Sequence, residues 1–169
     1  ERRKKLPHLF NFAVKFGVIK GEVFATSYNF EAISIWLPSD KNEMTLSDQI
    51  RCGGISIIPK IGLKFIFKQE PVFQFVHAIH DQHAPFDHLY FNALGVRPEH
   101  QKKAHGSTLM NTILNKSEKL NLPIYLETNN KRNVSLYEKF GFEVVDGSII
   151  PQTDIWNWGM LRNPKISGI

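Results

Sequence analysis

A single cysteine, Cys52, stands in a chain of 169 residues. It can form no intramolecular disulfide, and one thiol in a chain of this size fits a reducing compartment, so a cytoplasmic protein is expected rather than a stapled secreted scaffold. No run reaches the roughly 18–20 consecutive apolar residues that a bilayer-spanning helix needs. The basic start Glu1-Arg2-Arg3-Lys4-Lys5 leads into no signal-like apolar stretch. Internal repeats, linkers and low-complexity tracts are also missing, which predicts one core and a single domain over residues 1–169. What is there is ordinary for a soluble globular domain: 42% hydrophobic and 22% charged residues. The 21 Lys+Arg against 16 Asp+Glu give a net charge of +5, which suits an anionic ligand. No basic-aromatic motif points to nucleic acid, so nucleic acid is not an expected partner, and neither is a membrane.

Leu6, Leu9, Phe10, Ala13 and Val14 recur at helical spacing and predict a short first helix that stops near Gly17. Val18 to Ser27 and Ala32 to Leu37 read as an antiparallel hairpin closed by Pro38. From Thr45 to His83 the pattern is helical but interrupted by Gly53-Gly54, Pro59 and Pro71, which predicts two or three short helices forming a lid or side wall. Asp87 to Val96 is a strand by composition. Leu109, Met110, Ile113, Leu114 and Leu120 mark one apolar stripe of a helix, and Pro123 opens a strand from Ile124 to Thr128. Asn129 and Asn130 can cap a helix through Phe140, with Gly141 placed for its left-handed end. Phe142 to Val145 and Ile155 to Leu161 read as closing strands. The order of elements is that of an α+β or α/β layer with helices packed on a sheet.

The loop before the long helix is the most informative stretch. A strand ends at Leu94-Gly95-Val96, a basic loop follows, and a helix starts around Gly106 with Ser107 and Thr108 behind it. Unpaired N–H groups at a helix start, the positive end of its dipole, and Lys102 and Lys103 together make a phosphate site. The plain alternative is a turn with solvated lysines.

Val96, Pro98, Gln101, Gly106, Asn133, Tyr137, Gly141-Phe142 and the closing Met160-Leu161-Arg162 occur in an order and spacing that resembles the GNAT superfamily of N-acetyltransferases, over about residues 87 to 162. These enzymes move an acetyl group from acetyl-CoA to an amine. The resemblance implies a mixed, mostly antiparallel sheet flanked by helices. It also implies a first strand and helix that would precede residue 1, so that Val18 to Ser27 should lie at or near a sheet edge, covered by an upstream segment or by a second copy in a homodimer. The first glycine of the phosphate signature is Ala104 here. At positive φ its methyl group costs about 1–2 kcal/mol.

By the same resemblance, acetyl-CoA as cosubstrate falls to Leu94, Gly95, Val96, Gln101, Lys102, Lys103, Ala104, His105, Gly106, Ser107, Thr108, Asn129, Asn133 and Tyr137. The strand at Leu94 to Val96 would splay from Ile124 to Thr128. Leu94 N–H would polarise the thioester carbonyl, Val96 would pair with the pantetheine arm, Asn133 would hydrogen-bond it, and Tyr137 would protonate the leaving thiolate. Periodicity alone equally allows Tyr137 to be a core tyrosine beside Val134 and Phe140. A general base is expected where many relatives carry a glutamate, but this chain has Tyr90 there. Glu127 is the nearest plausible carboxylate unless it pairs with Lys131 or Arg132, and His88 is the alternative.

His77, His80 and His83 suggest a metal, yet steps of three rotate a helical side chain by about 300°, so three ligands diverge and no metal is expected. Trp36 lines either an acceptor pocket or the core, and Cys52 has no base partner and reads as structural. Two functions follow: acetyl transfer to a primary amine, most naturally on a small molecule, or a catalytically silent GNAT-like domain that binds acyl-CoA as sensor or structural ligand.

Overall fold

The computed structural model describes residues 2–41 and 44–165; Glu1 of the charged start lies outside them. Helix α1 (Arg2–Lys20) leads into strands β1 (Glu22–Ala25) and β2 (Ala32–Pro38). Three helices follow, α2 (Leu46–Arg51), α3 (Gly54–Ile61) and α4 (Leu63–His83). Then come β3 (Leu89–Val96), α5 (His105–Leu120), β4 (Ile124–Thr128), α6 (Lys131–Glu138), β5 (Glu143–Ile149) and β6 (Trp156–Arg162). The strands form one sheet in the order β1-β2-β3-β4-β6-β5, and every neighbouring pair is antiparallel except β3 and β4. This is the mixed, mostly antiparallel, helix-flanked sheet that the resemblance implied, with β1 at an edge.

Three helical expectations need correction. Helix α1 runs through Gly17 to Lys20, so the first strand is four residues rather than Val18 to Ser27. Gly17 serves close packing: a Cβ there would sit 2.4 Å from Ile35 Cγ2 and 3.0 Å from Val23 Cγ2. The chain turns instead at Gly21, whose N–H donates to Gly17 O at 2.9 Å. In α4, Pro71 is carried inside a 21-residue helix, so the side wall contains one long element. On α5 the stripe holds Leu109, Met110 and Ile113, but Leu120 is exposed and Ser117 takes its place in the interior. The Ser117 hydroxyl donates to Leu122 O at 2.6 Å, which ties the helix end to the turn before β4.

The main core lies between the sheet and α5 and α6, and comprises Trp36, Leu89, Phe91, Met110, Ile113, Ile124, Leu126, Tyr137, Phe142 and Met160 among others. Trp36 is a core residue, stacked on Phe24 at 4.5 Å, with its indole N–H donating to Ser34 Oγ. A smaller cluster of Phe16, Leu37 and Cys52 packs on the opposite face under α1 and α2. Burial raises the Cys52 thiol pKa, in keeping with a structural residue. Arg162, 5% exposed, locks the C-terminal half: its Nε donates to Phe140 O at 3.0 Å and its Nη2 pairs with Glu118 at 2.5 Å. Gly141 at φ +84° closes α6, with Phe142 N–H donating back to Tyr137 O.

Candidate active site

The parallel ladder between β3 and β4 has two rungs, Leu89 with Ile124 and Tyr90 with Tyr125. Beyond them β3 stays with β2 as far as Val96, while β4 stays with β6 as far as Thr128, so the sheet opens between its two central strands. The hydrogen bond from Arg97 N–H to Glu31 O fixes the alternation along β3. It places Gly95 and Ala93 in the hydrogen-bonded pairs with β2, and it turns the N–H and C=O of Leu94 and Val96 toward the opening, where no strand meets them. A bulge at Asn92 bends β3 at this point, since Phe91 pairs with Trp36 and Ala93 with Ile35.

At the end of β3 a short turn at Pro98–His100 leads into the basic loop. Lys102 and Ala104 both adopt left-handed backbone, at φ +63° and +64°, and curl the loop back onto the start of α5. No side chain caps that helix start, whereas Thr45 caps α2 and Asn130 caps α6. The first-turn N–H groups of α5 are thus left facing outward beside Lys102 and Lys103, the arrangement that receives a phosphate. A Cβ on Gly106 would meet Val96 and Leu94 only at 3.5 and 3.8 Å, so the fold itself tolerates a side chain there. The absence of one keeps the approach to the helix start clear. The ring of His105 sits edge-on to His100, with centroids 5.6 Å apart. These are the groups a pyrophosphate-bearing thioester needs, and the outward N–H and C=O of Leu94 and Val96 suit its amide-rich arm.

Tyr137 lies on the same side of the sheet as α5, buried to 9% exposure and edge-on to Phe91. Burial raises its phenol, which keeps it protonated. One turn earlier, Asn133 donates from Nδ2 to Thr128 Oγ1 at 3.3 Å. Glu127 lies on the opposite face, beside the opening, and accepts from the Tyr90 hydroxyl at 2.7 Å. Burial pushes its carboxyl up from the ordinary 4.5 to about 7, while the Tyr90 hydrogen bond works against that rise. It pairs with neither Lys131 nor Arg132.

Residues 65–144 match the family described as the Acetyltransferase (GNAT) domain. Over that stretch the chain is similar to the GNAT superfamily. An uncharacterized N-acetyltransferase of Schizosaccharomyces pombe is 28% identical over 149 residues, covering 83% of this chain and 58% of that protein. This chain therefore spans less than two thirds of that relative's length. Among solved structures, a Corynebacterium glutamicum protein described as histone acetyltransferase HPA2 and related acetyltransferase matches with TM-score 0.62 and 21% identity over 98% of this chain and 77% of that one. A Drosophila melanogaster polyamine N-acetyltransferase matches with TM-score 0.56 and 13% identity over 83% and 74% of the two chains. Both likenesses concern the fold.

With the GNAT frame in place, the structure brings Leu94, Val96, the loop from Gln101 to Thr108, Asn133 and Tyr137 to one side of the opening, and Glu127 to the other. Two expected site residues stand elsewhere. Asn129 donates both amide hydrogens to β6, to Trp156 O at 2.9 Å and Asn157 Oδ1 at 3.1 Å, and so holds the strand ends together. His88 precedes the closed end of the ladder, and both its ring nitrogens are engaged. Nδ1 meets Phe86 O at 2.7 Å and Nε2 meets His80 Nε2 at 2.7 Å. Because a carbonyl only accepts, His88 carries its proton on Nδ1, and its lone pair is taken by His80. Burial, with His88 alongside, lowers His80 to about 4, so that ring is neutral and stacks on both Tyr90 and Tyr125, which lie side by side. His83 instead faces Asp146 at 3.9 Å, so the three histidines spaced along α4 do not converge. Tyr90, which stands where many relatives carry a glutamate, is the residue that holds Glu127. The pairing of Tyr90 with Tyr125 puts Tyr90 and Glu127 on one face.

Proposed function

We propose that this domain, read as a single unit over residues 1–169, transfers the acetyl group of acetyl-CoA to a primary amine of a small acceptor by direct attack. The observation that carries this reading is the opening between β3 and β4, with a basic helix start and a protonated tyrosine on one face and a carboxyl raised to about 7 on the other. Acetyl-CoA supplies the activated acetyl thioester. Lys102, Lys103 and the first-turn N–H groups of α5 hold its phosphates, and Leu94 and Val96 align its arm along the unpaired edge of β3. Leu94 N–H is aimed where charge develops on the carbonyl oxygen, a fixed dipole that needs no reorganisation. Glu127, held by Tyr90, takes the amine proton. Tyr137 donates its hydroxyl proton to the departing thiolate, and Asn133 steadies the arm beside it.

Calorimetric titration with acetyl-CoA, on the chain and on Tyr137→Phe, followed by an amine screen, tests the reading. Micromolar binding kept by the variant, with its turnover reduced, supports it. No binding up to millimolar acetyl-CoA overturns it. The strained Ala104 favours a second reading, a silent acyl-CoA-binding domain, for which binding without thiol release across the amine panel is the expected result.

A further inference from the structure

On the Glu127 face of the sheet, three buried oxygens have no hydrogen-bond partner: Glu127 Oε1, the Tyr125 hydroxyl and Asp146 Oδ2. Their placement follows from the register of three adjacent strands. Gly159 on β6 is opposite Glu127 on β4 and opposite Asp146 on β5, so the two carboxylates flank one glycine on one face. Asp146 reaches that face only through a bulge. Val144 pairs with Met160, and without an extra residue Val145 would meet Gly159 while Asp146 turned to the core. The gap left by the missing side chain is filled by the Tyr125 hydroxyl, which lies 2.7 Å from where a Gly159 Cβ would be, with Asp146 Cβ 3.6 Å from the same point. Beyond Asp146 Oδ1, at 3.9 Å, is the ring of His83, whose side chain is 25% exposed. Buried polar atoms of this kind are satisfied by one another or by internal water, and four groups in a row, Glu127, Tyr125, Asp146 and the partly exposed His83, run from the opening to solvent.

We propose that Tyr125, Asp146 and His83 are positioning residues that form the proton exit of Glu127. This rests on the acetyltransferase reading, in which Glu127 receives a proton at each turnover and must lose it again. Protonated Glu127 releases its proton to the Tyr125 oxygen as the Tyr125 hydroxyl passes its own to Asp146. No phenolate forms, which suits a phenol whose pKa burial drives far upward. Asp146 hands the proton to His83, and His83 to solvent. Around these groups, Tyr90 donates to the other Glu127 oxygen, the Ser148 hydroxyl donates to Asp146 Oδ1 at 3.0 Å, and His80 and His88 bond each other.

The coupling can be read without any acceptor. In protein labelled with 13C at glutamate carboxyls, the Glu127 signal is titrated in the chain, in Asp146→Asn and in Tyr125→Phe. Both carboxylates compete for one Tyr125 hydroxyl. Neutralising Asp146 leaves that hydroxyl to Glu127 and lowers its midpoint by about half a pH unit or more, whereas Tyr125→Phe raises it. An unmoved Glu127 midpoint in Asp146→Asn overturns the proposal whether or not any amine is acetylated. A moved midpoint with every amine untouched keeps the coupling and removes the acetyltransferase reading. With an accepted amine, Asp146→Asn and the milder surface variant His83→Gln should lower kcat about tenfold, with the KM for acetyl-CoA unchanged. Added imidazole buffer should restore much of the rate. Loss of rate in both variants that imidazole does not restore overturns the exit.

Discussion

The two sides of the opening in the sheet are built from different materials. The α5 side relies on backbone: outward peptide groups of β3, the uncapped first turn of α5 and two left-handed loop residues, with lysines around them. The α4 side relies on side chains: Glu127, Tyr90, Tyr125, Asp146 and the paired histidines, whose buried members have displaced protonation equilibria. A backbone site recognises by shape and tolerates most side-chain changes except added bulk. A side-chain site does chemistry and fails when one functional group is removed. Binding and turnover in this domain should therefore separate cleanly under mutation.

The sharpest break is Glu127→Gln. On the proposed mechanism, removing this carboxylate should lower turnover by about 10²–10⁴-fold, the range for general acid–base catalysis, while calorimetry finds acetyl-CoA affinity unchanged. Gly106→Val does the reverse. No neighbour lies closer than 3.5 Å to the new Cβ, so the fold survives, but the helix start is obstructed. Acetyl-CoA affinity should drop about tenfold or more, equivalent to about 1.4 kcal/mol, with the thermal midpoint nearly unchanged.

The pH dependence sharpens the comparison on the side-chain side. Turnover should rise with pH through about 7 as Glu127 loses its proton. Stability has the opposite sign. A folded-state value of about 7 above the ordinary 4.5 means the folded protein holds this proton more tightly than the unfolded chain. The stabilisation is complete below about 4.5, declines as pH rises to about 7 and is absent above, so Glu127→Gln should gain on the parent chain across that window in urea midpoints. The smallest effect belongs to the backbone side. Ala104→Gly relieves left-handed strain against the greater chain entropy of glycine, and should stabilise the fold by about 0.5–1 kcal/mol.

The C-terminal half was legible because each boundary there carries its own local chemistry. Pro123 opens β4, Asn130 caps α6 and Gly141 ends it with positive φ. The N-terminal half misleads because its glycines do different work. Gly17 is small so that α1 can press on β2, a tertiary demand that a reading of local breakers takes for a helix stop. Within the candidate site, the residues from Gln101 to Thr108, Asn133 and Tyr137 carry a local motif that a sequence displays. Tyr125 and Asp146 carry none, because their meeting depends on a bulge in β5 and a glycine in β6, and neither shows in the alternation of a single strand. His88 was drawn in by its chemistry as an imidazole, but it lies before the first rung of the ladder.

The two-rung contact between Leu89–Tyr90 and Ile124–Tyr125 also has a mechanical meaning. It divides six strands into two plates of three, β1-β2-β3 and β4-β6-β5, joined along a hinge two residues long. In the proposed complex, a thioester arm lying against Leu94 and Val96 would act as extra rungs beyond that hinge. The cosubstrate would then be part of the scaffold as well as the reagent, and the angle between the plates would follow what lies between them.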